Sequence, residues 1–267
     1  MKSFEKIIRI ILHLETFPTY YFPLNRSDAE YFIRIFEKNF QKLHQNQLYD
    51  EIRKKMKFCF EENQDVDEKN WFENIEQRLQ IVIDQFFPDQ NGFFAKTSSR
   101  SAKDATIFRD DFIQIYQNQL MKCSNPTEEN SRIISLLNAA FLCLRLRSAS
   151  ELLLTFLISE RIYQDMLLAI ETHRSLDDSF HENIVLRPFI SIDIDMEFRG
   201  FVYQQSLTCL SQYNYLIYSS RLFKSKEIIL KKIQTYFDEI IKIKLSNYQL
   251  KDYVIDFALT KIDGKVQ

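Results

Sequence analysis

The sequence predicts an α+β fold, and three observations carry that expectation. Apolar residues recur at helical spacing through most of the chain ahead of residue 172. Short β-type runs then crowd together between 184 and 218, and one more apolar run, Tyr253–Leu259, lies near the end. Strands and helices are thus grouped rather than alternating, which argues against a βαβ series. No Rossmann or Walker glycine motif is present.

The elements follow in order. Ile7–Leu12 is an apolar run broken by Arg9, too short to span a bilayer and without a small-residue cleavage site after it. It reads as a buried strand or short helix. Glu15–Leu24 is extended, because Pro18 and Pro23 each push the preceding residue out of the helical region. Ser27-Asp-Ala-Glu30 has the pattern of a capping box, and Tyr31, Ile35 and Phe36 continue at helical spacing. A second helix is expected over about 47–60. Trp71, Phe72, Ile75, Leu79, Val82 and Ile83 mark a third that ends before Pro88. Asn91-Gly92 turns the chain into a short strand, Phe93–Lys96, which leads into the polar stretch Thr97–Lys103. Residues 122–130 look like a linker, and two or three helices follow across 131–171 with Leu152, Leu153 and Phe156 on a core stripe. After the β-rich region, an amphipathic helix is expected over 224–243. Tyr253–Leu259 forms the last strand, and Lys261–Gly264 turns it back.

Composition sets bounds on function. The chain has 267 residues, 45% of them hydrophobic and 27% charged, which suits a soluble globular protein without a membrane span. A net charge of −2 argues against a general nucleic-acid binder. Cys59, Cys123, Cys143 and Cys209 lack paired spacing, and neither they nor the four histidines form a metal-ligand group. A reduced, intracellular protein is expected. With 14% aromatic residues and only three glycines, its core should be rich in Phe and Tyr.

The candidate chemistry centres on Val185–Phe189 and Glu197–Tyr203, where Arg187, Glu197 and Arg199 stand among β-type residues. An unpaired buried charge is costly, so two arginines there suggest a cavity for an anion, with Glu197 holding one of them. The alternative is a structural Glu–Arg pair beside a β-bulge. Gly200 inside a strand suggests something approaching the backbone closely. Lys96–Ala105 concentrates hydroxyls and cations suited to phosphate oxygens, or else is a solvated loop. Asp256 sits mid-strand and needs a cation, a donor or a metal, a salt bridge to a neighbouring strand being the plain alternative. Asp193 and Asp195 read as loop acids, and His173 and His181 as solvated linker residues. The strands at Val185, Glu197–Tyr203 and Val254–Leu259 are expected to share one sheet, with Arg199 and Asp256 pointing into one cleft.

In order along the chain, Phe17-Pro-Thr, Lys96–Ala105, Ser159-Glu-Arg-Ile-Tyr163, Val185-Leu-Arg-Pro-Phe189, Glu197–Val202, Leu210-Ser-Gln-Tyr213 and Val254-Ile-Asp-Phe257 resemble the cell division cycle protein 123 family, also called the D-one-two-three domain. The resemblance covers most of the chain. It implies one domain over 1–267 with an ATP-grasp-like two-lobed fold, lobes of roughly 1–180 and 181–267, and a helical N-terminal insertion. Lys96 would contact nucleotide phosphate, Val185–Phe189 would be the hinge reading the adenine edge, and Arg199 would meet the triphosphate. Arg187, Phe189 and Gln212 would line the same cleft, and Asp256 would be the first Mg2+ carboxylate. Members of the family continue into a strand bearing an aspartate and then Asn-Pro. This chain stops at Gln267, so that strand is expected to be missing and Mg–ATP binding weakened. The implied function is a monomeric, cytoplasmic, ATP-binding assembly chaperone for translation initiation factor 2, acting on its γ subunit. The alternatives are an ATP-grasp ligase working through an acyl phosphate and a partner-binding module without nucleotide.

Overall fold

The computed structural model describes residues 18–58, 65–88, 91–172, 180–248, 250–262 and 265–266. The apolar run at 7–12, Cys59 and His173 lie outside them. In chain order the elements are β1 (Tyr20–Leu24), α1 (Arg26–Asn39), α2 (Gln41–Gln45), α3 (Tyr49–Phe58), α4 (Val66–Phe86) and β2 (Phe93–Thr97). A 3-10 turn at Lys103–Phe108 precedes α5 (Phe112–Leu120), α6 (Glu129–Leu142), α7 (Ala149–Leu157) and α8 (Glu160–Thr172). Then come β3 (Glu182–Pro188), β4 (Glu197–Tyr203), β5 (Ser206–Gln212), α9 (Ser220–Tyr236), α10 (Lys242–Leu245), β6 (Tyr253–Ala258), β7 (Lys261–Ile262) and β8 (Lys265–Val266). The fold is α+β with small antiparallel sheets. No described helix is long and apolar enough to cross a membrane.

The chain divides into two compact units. The first comprises Phe17–Asn118 and Ala139–Phe189; the second includes Gln119–Asn138 and Ile190–Gln267. The division therefore falls after Phe189 rather than near 180. The reason is pairing: β3 lies between β1 and β2 in an antiparallel sheet of order β1-β3-β2. The strand at Val185 accordingly does not share a sheet with β4 and β6.

In the first unit one sheet face, including Phe22, Leu24, Phe93, Ala95, Ile184 and Leu186, is buried in a core with α1, α4, α7 and α8. Their helical stripes supply Phe32, Ile35, Phe36, Trp71, Ile75, Leu79, Leu152 and Phe156. The capping box of α1 sits two residues earlier than the sequence pattern suggested. Asn25 Oδ1 accepts from Asp28 N at 2.8 Å and Asp28 Oδ2 accepts from Asn25 N at 3.0 Å. Asp28 wins the role because its other oxygen accepts from Trp71 Nε1 at 3.0 Å, which ties helix start to core.

In the second unit the sheet order is β5-β4-β6. Phe198, Val202 and Phe257 face Ile229, Ile233, Phe237, Ile241 and Leu245. Those five recur every fourth residue, a stripe that a straight α-helix would rotate by about 40° at each step. A π-turn at Phe237–Ile241 takes up the drift and keeps the stripe on the sheet. The β4–β5 hairpin turns on Gln204 and Gln205, both at positive φ as a type I′ turn needs, with a bulge after Phe201.

Candidate functional site

The polar stretch after β2 is tied down by three carboxylates. Thr97 Oγ1 donates to Asp165 Oδ2 at 2.7 Å, and Arg100 Nε donates to Asp165 Oδ1 at 2.7 Å. Ser98 N donates to Glu182 Oε1 at 2.8 Å, and the Ser98 hydroxyl accepts from Asn183 N at 3.2 Å. Asp104 accepts from the Ser159 hydroxyl at 2.6 Å and from Arg161 N at 3.2 Å. Asp165 and Glu182 are both buried. The donors that the sequence offered for phosphate are therefore largely occupied internally. The loop is neither solvated nor an open phosphate cradle; it is a pinned connection between β2 and the N-terminus of α8. Asp165 was missed in the sequence although a signal existed, since it lies on the same helical face as the buried Ile162 and Met166.

Lys96 and Arg187 share the sheet face opposite to the first unit's core. Lys96 is paired with Val185, and Arg187 stands two residues along β3, opposite Phe94. Lys96 Nζ donates to Ser98 O at 3.0 Å. Arg187 Nε is buried and has no hydrogen-bond partner among the described residues. Burial holds the Arg187 guanidinium below its usual pKa, with Tyr21 acting in the other direction. From Ile184 to Leu186 both neighbouring strands pair with β3, so that part of the strand has no backbone edge left for an adenine. Phe189 follows β3, and its N–H already donates to Gly92 O at 3.1 Å. Its ring lies 5.4 Å from that of Phe141, with the Arg145 guanidinium 5.6 Å from its centroid.

Arg199 and Asp256 are cross-strand partners on β4 and β6. Arg199 also lies over the Tyr213 ring at 4.8 Å. Hydrogen bonding to Asp256 is the main reason that its guanidinium is held above its usual pKa. The two side chains are 36% and 46% exposed, so these are not the buried charges expected from the sequence. The strand alternates: Phe198, Gly200 and Val202 turn to the core, while Glu197, Arg199, Phe201 and Tyr203 take the other face. Exposed Phe201 and Tyr203 disguised that alternation. The bidentate partner of Arg199 is Asp256, not Glu197. Gln212 is registered against Phe198, which places it on the opposite sheet face from Arg199. Its amide donates to Asn214 O at 3.0 Å.

Gly200 has a packing explanation. A Cβ there would lie 2.8 Å from Leu207 Cδ1 and Phe257 Cε2 and 3.2 Å from Ile255 Cγ2, so its own core approaches it. Asp193 and Asp195 both bind Arg221, Asp193 at 2.8 Å, and Asp195 also accepts from the Ser219 hydroxyl at 2.6 Å. Burial opposes the Asp195 charge, but Arg221 and Ser219 outweigh it and hold the carboxyl below its usual range.

The residues do not fit a dedicated metal centre. Among the described residues no three His, Cys, Asp or Glu side chains converge to hold an ion, and both oxygens of Asp256 are on Arg199. An anion is a better match, because the Nε of Arg187, like those of Arg53 and Arg161, is a buried donor without an acceptor among the described residues.

The family model D123 matches residues 24–267. The chain belongs to the D123 family. Among solved structures, Cdc123 from Schizosaccharomyces pombe is 19% identical with a TM-score of 0.46, over 77% of this chain and 68% of that one. C-terminally truncated Cdc123 from Schizosaccharomyces pombe is 16% identical with a TM-score of 0.49, over 91% and 83%. No curated protein matches this D123 chain significantly in sequence. Within the D123 match, Lys96, Arg187 and Phe189 belong to the first unit, and Arg199, Gln212 and Asp256 to the second.

Proposed function

We propose that this chain is a cytoplasmic ATP-binding assembly chaperone for translation initiation factor 2, with an ATP-grasp-like fold, acting on the factor's γ subunit. Membership of the D123 family supports the role. The observation that carries nucleotide binding is the buried, unpartnered Nε of Arg187 on the sheet face that also bears Lys96. A phosphate oxygen would supply the acceptor that Arg187 lacks. In the second unit Arg199 already spends two of its five N–H groups and much of its charge on Asp256, so it is the weaker candidate for an anion. Any Mg2+ arrives with the triphosphate rather than waiting in a protein site, because the Asp256 oxygens are already engaged.

That same engagement favours a second reading, a partner-binding module without nucleotide. The Arg199–Asp256 pair and the pinned loop after β2 are both internally satisfied.

Calorimetric titration of ATP into the parent protein, Arg187→Met and Lys96→Met separates the two. A charge-assisted hydrogen bond is worth about 1.5–3 kcal/mol, so losing Arg187 should weaken ATP by about one to two decades. Equal affinity in the parent and Arg187→Met removes Arg187 from the site, and no binding by the parent leaves the nucleotide-free module. Assembly of the purified α, β and γ subunits of the factor, with and without the chain, tests the chaperone role.

A further inference from the structure

β2 and β3 stop pairing at Thr97 and Ile184, one residue short of a rung that the ladder is set to form. Phe189 N donates to Gly92 O, so the alternate pairs that follow it, Phe94 with Arg187 and Lys96 with Val185, are the ones that exchange backbone bonds. By the same alternation Ser98 would exchange bonds with Asn183. Both N–H groups are diverted instead. Ser98 N donates to Glu182 Oε1 at 2.8 Å, and Asn183 N is shared between Glu182 Oε1 at 2.9 Å and Ser98 Oγ at 3.2 Å. Ser98 O, no longer needed for the rung, accepts from Lys96 Nζ at 3.0 Å.

Glu182 causes this exchange from the far side of the sheet. It is buried, and its register partner on β1 is the core residue Leu24, so its side chain leaves β3 on the core face. Lys96 and Arg187 take the other face. The negative charge of Glu182 therefore stays off the face that carries the two cations, and its influence passes through the peptide groups of Ser98. The peptide after Ser98 is held as well, Ser99 N donating to Thr97 Oγ1 at 3.3 Å and Thr97 Oγ1 to Asp165 Oδ2 at 2.7 Å. An ammonium has three N–H groups, so one bond to Ser98 O orients Lys96 without neutralising it.

We propose that Glu182 is a positioning residue: by intercepting the N–H groups of Ser98 and Asn183 it reserves Ser98 O for Lys96, and so aims the Lys96 ammonium along the face that bears Arg187. The proposal rests on the nucleotide reading, in which phosphate oxygens meet that face. Glu182 itself touches no ligand. A side chain ordered before binding spares the ligand the cost of ordering it, an advantage of about two- to tenfold in affinity.

The test is calorimetric titration of ATP into the parent, Glu182→Met, Glu182→Gln, Lys96→Met and the double variant Glu182→Met/Lys96→Met. Met fills the space of Glu182 without an acceptor, whereas Gln keeps an acceptor oxygen. Glu182→Met should weaken ATP by about two- to tenfold, and Glu182→Gln should retain most of the affinity. In the Lys96→Met background the Glu182→Met change should add nothing, because no ammonium is left to aim. A purely structural role would weaken ATP equally in both backgrounds, and that result overturns the proposal, as does parent-like affinity in Glu182→Met. If Glu182→Met does not fold, Glu182→Asp, which withdraws the carboxylate from Ser98 N but keeps its charge, goes through the same comparison with the same outcomes. If ATP binds the parent and Lys96→Met equally well, Lys96 is outside the site and the proposal falls while the Arg187 reading stands. If ATP does not bind the parent, the nucleotide reading itself falls and takes the proposal with it.

Discussion

Arg199 and Asp256 face each other across β4 and β6, with Arg199 Nε donating to Asp256 Oδ1 at 2.8 Å and Nη2 donating to Oδ2 at 3.0 Å. The geometry is bidentate, but the pair is partly exposed and solvent weakens it. Arg199→Gln and Asp256→Asn should each lower stability by about 1 kcal/mol or less, and a double-mutant cycle from urea melts should give a coupling of about 0.5 kcal/mol. A coupling of several kcal/mol would mean that the pair is desolvated in solution.

Asp165 behaves differently because it is 2% exposed and is bound by both Thr97 and Arg100. Asp165→Ala leaves those donors without their acceptor and should destabilise the protein by about 3 kcal/mol, read from urea denaturation. Ser99→Ala alters the same loop without touching these bonds to Asp165, and a loss as large as that of Asp165→Ala would show that the carboxylate is not the anchor.

Arg187→Met tests the orphaned donor without any partner protein. Removing a half-buried guanidinium whose Nε is buried without a hydrogen bond should leave stability unchanged or raise it. At one ATP concentration the melting temperature should rise more in the parent than in the variant, by linkage. A variant that melts well below the parent without ligand would show that Arg187 is satisfied in the free protein.

Gly200→Ala drives a methyl group toward Leu207, Phe257 and Ile255. The atoms met are side-chain ends that can shift, so the expected loss is about 1 kcal/mol, at the low end for overpacking. Calorimetric melting measures it. An unchanged melting temperature would show that the core yields freely at this point.

The Asp195 clamp sets an acid limit. Its carboxyl is held below the ordinary value of 3.8, so its contribution to stability is complete above that value and is lost as pH falls through the lower, folded value. Arg221→Gln should remove about 1 kcal/mol at neutral pH, discounted for the exposure of Arg221, and less at a pH well below 3.8. A loss that is the same at both pH values would mean that Arg221 acts by packing instead of charge.

The sequence by itself determined the grouped α+β order, the helices that carry Trp71–Ile83 and Leu152–Phe156, and the three strands that lie around Arg187, Arg199 and Asp256. Periodicity encodes these, because a buried stripe must repeat with the helix or strand. It also brought the D123 family into view, since motif order survives where identity is low. Only the tertiary structure decided which strands pair. Nothing local in Val185–Phe189 says that it joins Tyr20–Leu24 and Phe93–Thr97 instead of Glu197–Tyr203, because sheet partners are chosen across long loops. The same holds for satisfaction of charge. The sequence displayed the donors of Lys96–Ala105 and the acid at 256, but whether each meets a ligand or another side chain depends on residues far away in the chain. Asp165 takes Thr97 and Arg100 of the first set and Arg199 takes Asp256, while Arg187 Nε, like the Nε atoms of Arg53 and Arg161, is buried without an acceptor among the described residues.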